Sequence, residues 1–475
     1  MVSEDLAIHW FRKDLRLTDN PALCRAALHK AVMPIFILDT KNVHSYMPGG
    51  ASRWWLHRSL EALHDTLEGN LSIYEGDPLE VLQDLCMRLP SRSVYWNRLY
   101  EPWAMERDTV IKSALQKNEI QVTTSNASLL WEPRDIRKED GSAYKVFTPF
   151  YRKGCLKLAS PREPMKRPEL GHSTRDDREH VLNIEDLDLL PKSSWFQRLD
   201  ARWGAGEEQA ETRLNTFLQE GLPQYKEGRN FPNKPAVSRL SPYIQMGTMS
   251  PNQLWYGAQK RGDDKNIDHF CSELGWREFA YNQLYHNPDL PVKNLQSKFD
   301  GFPWILKGDH LEAWQKGQTG IPFVDAGMRE LWQTGFMHNR VRMVTGSFLV
   351  KNLRVHWHHG ERWFWDTLID ADLASNSASW QWLAGCGADA APYFRIFNPV
   401  LQGKNFDPNG DYIREFLPEL ANLPKRFLYS PWDASQETLQ SSGITLGVTY
   451  PRPIIDLKDS RDKALEAFQS LKTSA

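Results

Sequence analysis

LSIYEGDPLEVLQDLCMRLPSRSVYWN, residues 71–97, is a strand, a helix and a strand in succession. Two short β-rich runs, LSIYEG (71–76) and SVYWN (93–97), flank PLEVLQDLCMRL (78–89), whose apolar residues recur with a helical period. Such a unit forms a right-handed crossover between parallel strands.

The same alternation extends both ways. LAIHWF (6–11) and MPIFIL (33–38) precede it, IQVTTS (120–125) follows, and helical patterns fill the gaps at 51–67 and 106–117. Residues 1–130 are therefore expected to form an α/β domain, a doubly wound parallel sheet with helices on both faces. From 131 to 201 the pattern breaks. Between 134 and 167 ten Lys/Arg stand against four Asp/Glu, and PREPMKRPELGHSTRDDREH (161–180) reads as a connector crossing the surface. From 202 to 475 strand signals fade and 3.6-residue periods dominate, as in AETRLNTFLQEGLPQY (210–225) and 328–353, so an all-α domain is expected.

At 475 residues, 41% hydrophobic and 25% charged, the chain has an ordinary globular composition. No apolar run reaches the roughly 18 residues of a membrane helix, and MVSEDLAIHW is no secretory signal. Five Cys form no CxxC pair, which points to a reduced, cytoplasmic protein without structural zinc. A net charge of −2 argues against a wholly basic nucleic-acid binder but leaves room for a local basic face. HNRVRMVTGSFLVKNLRVHWHHGER (338–362), with five Lys/Arg and one acidic residue, suits a phosphate-contacting surface; a basic face on an amphipathic helix explains it equally well.

No metal or phosphate-loop signature is present: HExxH and GxxxxGK[ST] are absent, and GCGADA (385–390) follows an aromatic stretch, not a strand. Polar groups set among apolar ones are more informative. Glu273, Trp276 and Arg277 share a helical face, although Glu273 and Arg277 alone read as a plain ion pair; Asn339 and Met343 are one turn apart; Asp370, Asp372 and Asn376 precede Trp380 and Trp382. Buried polar groups need partners, and three such clusters in a segment holding nine Trp between 276 and 382 point to a bound polar ligand such as a flavin.

WFRKDLRLTDNPAL (10–23), ELGWREF (273–279), GIPFVDAGMRELWQTGFMHNRVRM (320–343), DADLASNSASWQW (370–382) and PYFRIFNPVLQGKNFDPNGDYIREFLPEL (392–420) resemble the photolyase/cryptochrome family over nearly the whole chain. YKEGRNFPNKPAVSRLSP (225–242) and GGASRWWLHRSL (49–60) are similar to the bacterial class III photolyases, which repair cyclobutane pyrimidine dimers. The resemblance implies an N-terminal antenna domain and a helical domain holding FAD. Tyr225, Val237, Ser238, Arg239, Leu240, Ser241, Phe270, Arg277, Asn339, Arg342, Asp370, Asp372 and Asn376 would hold the cofactor. Val237 replaces a Thr common in the family, so one hydroxyl donor is lost.

Glu273, Trp276, Arg277, Asn339, Arg340, Met343, Trp382, Arg229, Arg395 and Gln402 would meet the damaged DNA, with Glu273 stabilising charge on the pyrimidine carbonyls. Trp380, Trp357 and Trp304 match the family's electron-transfer chain. Asn376, where plant-type cryptochromes carry Asp, favours repair; the alternative is a cryptochrome-type blue-light photoreceptor, against which the lack of a long C-terminal extension also counts. One folate-binding class uses an Asn-Glu pair where Trp103 and Ala104 stand here. Methenyltetrahydrofolate remains the expected antenna chromophore, with Trp54 and Trp55 as stacking residues, and a monomer without membrane contact is expected.

Overall fold

The computed structural model describes residues 5–176, 181–192, 194–305, 308, 310–390 and 394–473. Parts of the quoted stretches, residues 177–180 and 392–393, lie outside it. The chain packs into two compact units that interleave along the sequence. The first is Met1–Pro223, Ser238–Pro288 and Ile369–Ala374; the second is Gln224–Val237, Asp289–Leu368 and Ser375–Ala475. Positions 130 and 201 both fall inside the first unit.

The first unit is built on a parallel sheet. Its strands are β1 (Leu6–Phe11), β2 (Ala31–Asp39), β3 (Ser72–Gly76), β4 (Ser93–Asn97) and β5 (Gln121–Ser125), in the order β3-β2-β1-β4-β5. Each coincides with a β-rich run of the sequence. β1 and β2 are buried along their whole length, the signature of a sheet covered on both faces. Register Ile8↔Met33 and Trp10↔Ile35 sets these side chains in one core layer with Leu82, Leu85, Val94 and Trp96. Local chemistry starts the covering helices: Asn20 and Asp77 cap Pro21–Ala26 and Pro78–Arg88 through their side chains, each with Pro in the first turn.

The 131–201 segment holds more structure than a surface connector. His172–Ser173 adds a sixth strand beside the start of β2, and Phe147, Phe150, Tyr151 and Cys155 are buried. The long helix Lys265–His286, capped by Asp264, completes this unit. Gly275 leaves room for the ring of Tyr151 against that helix; any side chain there would overlap the ring.

The second unit is helical. The periodic stretch 328–353 is not one helix: Pro322–Thr334 ends at Gly335, whose φ of 65° is the left-handed conformation of a helix stop, and Asn339–Ser347 starts anew under a His338 cap. Trp357–Thr367 follows, capped by His356, and then Leu373–Ala384, which begins in the first unit and ends in the second.

Candidate active site

In the first unit, the Lys265–His286 helix presents Glu273, Trp276 and Arg277 while Leu274, Glu278 and Phe279 face inward. Trp276 is 37% exposed and lies flat on Phe147, with ring centroids 3.8 Å apart at 10°. It thus offers its other face to a planar partner. Glu273 stands 3.8 Å from the His269 imidazole. The Glu273–Arg277 ion pair does not form. Arg277 instead donates to the Ser128 carbonyl (2.6 Å), approaches Glu278 at 3.5 Å and lies over the Tyr281 ring.

Tyr281 in turn donates its hydroxyl to Asp372, and Ser241 donates to Asp370 (2.6 Å). Both aspartates are therefore aligned by hydroxyl groups from the 238–288 segment. In the preceding loop, Ser238 Oγ accepts from Leu240 N, and Arg239 holds a φ of 52° with its side chain exposed. Phe270 is buried against Phe217.

Glu278, Tyr281 and the 128–131 segment carry no motif of their own. Glu278 is buried, accepts from Leu130 N (3.0 Å) and Trp131 N (3.2 Å), and burial pushes its carboxyl up to about 7.

In the second unit, Asn376 is nearly buried. Its amide nitrogen donates to the Glu361 carbonyl (3.0 Å), and among the described residues no donor meets its Oδ1. A buried, oriented, neutral acceptor of this kind fits a protonated ring nitrogen such as that of a reduced flavin. The Glu361 carboxylate accepts from Ser377 (3.1 Å), and burial raises its pKa to about 7. One turn beyond Asn376, Trp380 is 1% exposed and packs on Phe364 and Trp314. Its ring lies against Gly360, where any side chain would overlap it, and Gly360 is one turn from Trp357. Trp357 is fully buried with its indole N–H on Asn294, and Trp304 is half-buried.

The basic stretch 338–362 divides. Arg342 donates to the Met337 carbonyl, and Lys351 is buried with its ammonium on the Ala384 carbonyl (2.7 Å), capping the Leu373–Ala384 helix. Arg340 is held by Asn230 (2.5 Å) over the Phe406 ring, and its pKa is lowered by burial and by the fields of Arg229 and Arg395. Three guanidinium groups therefore share one positive field. Arg229 itself lies over the buried Tyr225, and Arg395 is exposed. The buried side-chain oxygen of Gln402 meets no hydrogen-bond donor among the described residues. Asn339, exposed, approaches the Met343 sulfur at 4.0 Å, and Trp382 donates to the Asp389 carbonyl. His338 and His356 serve as helix caps. Among the described residues no group of His, Cys, Asp and Glu is arranged to hold a metal, and no helix is long and apolar enough to cross a membrane.

Trp54 and Trp55, read as antenna-stacking residues, are covered on all sides. Each is 0% exposed; their indole N–H groups bond Asp200 and the Pro242 carbonyl, and Trp55 packs on Trp203 and Tyr243. Adjacent Trp in a helix read alike whether they face solvent or core.

A parallel-sheet unit with an exposed indole and hydroxyl-aligned aspartates is joined in one chain to a helical unit with a buried amide and an indole series, an arrangement with room in its chemistry for a flavin. Residues 7–169 match the family described as DNA photolyase, and residues 270–470 the FAD binding domain of DNA photolyase. The chain belongs to the photolyase/cryptochrome family, and FAD is its cofactor. It is 43% identical to a deoxyribodipyrimidine photo-lyase of Agrobacterium fabrum, over 98% of each chain. It is 34% identical to cryptochrome-1 of Arabidopsis thaliana, over 98% of this chain and 70% of that one. A crystal structure of a bacterial class III photolyase from Agrobacterium tumefaciens superposes with a TM-score of 0.94 at 42% identity, covering 100% of this chain and 99% of the other.

Proposed function

We propose that this protein is a light-driven photolyase that splits cyclobutane pyrimidine dimers in DNA. The carrying observation is Asn376: its amide is neutral, buried and oriented by the Glu361 carbonyl, leaving an acceptor oxygen for the cofactor. FAD, when bound, would supply the light-driven electron transfer that opens the cyclobutane ring. The chain holds geometry and charge. Asn376 accepts from a protonated ring nitrogen without adding a negative charge beside an anionic cofactor. Ser238, Ser241 and the amides of the 237–241 loop would bind its phosphates, and Tyr225, Phe270, Asp370, Asp372, Arg277, Asn339 and Arg342 would hold the remainder.

Arg229, Arg340 and Arg395 neutralise phosphates of the damaged strand, while Trp276, Trp382, Met343 and Gln402 receive the extruded pair. A lesion already poorly stacked costs least to flip, which supplies selectivity. Glu273 stabilises the charge that develops at the pyrimidine carbonyls. The antenna domain is residues 1–130, the connector 131–201 and the catalytic domain 202–475; the protein acts as a monomer in the bacterial cytoplasm, on nucleoid DNA.

A second chromophore, methenyltetrahydrofolate, harvests light. With Trp54 and Trp55 covered, its ring system fits a cavity of about 250 Å³ lined by Asn42, His44, Asp77, Trp103, Glu106 and Arg107, at the carboxyl side of the sheet. Chromophore extracted from the Trp103→Ala protein checks that placement.

Repair of a dimer-containing oligonucleotide in light and in darkness tests the main reading. Light-dependent restoration supports it. Photoreduction without repair would instead assign the chain to the photoreceptor branch.

A further inference from the structure

Trp357 and Trp304 do not meet. No ring contact joins the two indoles; both meet His356 instead. The His356 imidazole lies 5.7 Å from Trp357 at 27° and 5.2 Å from Trp304 at 68°, measured between ring centroids. A second imidazole, His358, lies 3.9 Å from Trp357 and 4.6 Å from His356. We propose that His356 is the bridge through which an electron passes from Trp304 to Trp357, and that its capping of the Trp357–Thr367 helix keeps it uncharged for that task. The inference rests on the reading of Trp380, Trp357 and Trp304 as an electron-transfer series.

The step is simple in balance. One electron leaves Trp380 for the photoexcited oxidised cofactor, one moves from Trp357 to Trp380, and one from Trp304 to Trp357. The deficit then rests on half-buried Trp304, which loses its indole proton to water and is restored by an external thiol. No atom moves at His356.

The cap fixes its charge. His356 Nδ1 accepts from His358 N (3.3 Å), so that nitrogen must carry a lone pair, and the positive end of the helix opposes a cation there. Burial, with His359 and Arg362 nearby, lowers its pKa further, against Asp300, which raises it. His358, bonded to the Pro291 carbonyl and facing His356, His359 and Arg362, is pushed down to about 4, burial being the largest cause. With both imidazoles uncharged, a cation on Trp357 meets two neutral rings. A protonated His356 at 5.7 Å would disfavour the Trp357 cation roughly a hundredfold at an effective dielectric of ~20.

Flash photolysis of the oxidised holoprotein, following the tryptophan radicals, tests this with two variants of opposite design. His356→Asn keeps a good cap and removes the ring; His356→Phe keeps a ring and removes the cap. A bridge predicts loss of the long-lived Trp304 radical in His356→Asn and its retention in His356→Phe. In the unmodified protein its yield should fall on acidification below the ordinary imidazole range, and in His356→Phe that fall should follow the titration of His358 alone. A Trp304 radical of unaltered yield in His356→Asn overturns the bridge. Unaltered radical signals in Trp357→Phe and Trp304→Phe would overturn the series itself, a separate failure.

Discussion

Asn376 is tied to Glu361 twice over: its amide nitrogen bonds the Glu361 carbonyl at 3.0 Å, and the next residue, Ser377, bonds the Glu361 carboxylate at 3.1 Å. The amide cannot rotate without breaking the first bond, so its oxygen keeps one direction. Asn376→Asp replaces that oxygen by a carboxylate and deprives the Glu361 carbonyl of its donor. Two like charges about 4 Å apart repel by roughly 4 kcal/mol at an effective dielectric of 20. Full reduction of FAD in the variant is expected to need a markedly lower potential, and repair to fall with it. Spectroelectrochemical titration reads the shift; an unchanged potential would remove Asn376 from the cofactor.

Glu273→Ala should lower the repair yield roughly tenfold, less than a fully enclosed transition-state donor is worth, because the Glu273 side chain keeps 27% of its exposure. Absorbance of bound FAD should not change, since the carboxyl serves the lesion. Equal yields in mutant and parent would take Glu273 out of the site.

Trp380→Phe should stop photoreduction of oxidised FAD by an external thiol, because phenylalanine is far harder to oxidise. Chemically reduced enzyme should still repair. Phe lacks the outer indole carbons that lie over Gly360, so a small cavity is left at this buried site and the thermal midpoint should drop modestly. Photoreduction at the parent rate would exclude Trp380 as first donor.

Arg340→Ala should weaken binding to damaged and undamaged DNA alike and lower the slope of log affinity against log salt by about 1. Arg340 also covers Phe406, so a charge-only comparison needs Arg340→Met alongside. A salt slope equal to that of the parent would mean that Arg340 touches no phosphate.

Glu278 makes stability depend on pH in a stated direction. Unfolded, it loses its proton in the ordinary carboxylate range; folded, it does so at about 7. Between these values the folded state holds more protons, so stability falls as pH rises through that window, by an upper bound of about 3 kcal/mol. Glu278→Gln, which keeps an acceptor for Leu130 N and Trp131 N, should be more stable than the parent at pH 8 and no more stable at pH 4. Denaturant unfolding at the two pH values checks the difference.

How much of this was legible beforehand follows contact range. The strands were readable because β1 through β5 are short β-rich runs between helical ones, a pattern local to a few residues. Asn376 and Trp380 stood out as polar and aromatic groups in a small-residue helix. Glu361, Tyr281 and Glu278 did not, because their significance lies in distant partners: Tyr281 meets Asp372 across 91 residues, and Glu278 meets Leu130 across 148. His356 lies in the basic stretch 338–362, but its contact with two indoles depends on how Trp304 folds back. The Trp54–Trp55 pair failed for the opposite reason: two neighbouring indoles carry no mark that separates a packed core from a chromophore platform.

The interleaving of the two units constrains the order of synthesis. The first unit needs Ser238–Pro288 and Ile369–Ala374 to be complete, so it cannot close when Pro223 leaves the ribosome. At 5–20 residues per second the wait between residues 223 and 374 lasts roughly 10–30 s. During it the first unit lacks the buried side chains of the Lys265–His286 helix, and a nascent chain with their apolar partners exposed is a substrate for holding chaperones. Neither unit is therefore a separable fragment. A chain cut anywhere before Ala374 leaves both incomplete, and splitting this protein into a sensor half and a catalytic half is foreclosed by the path of its backbone.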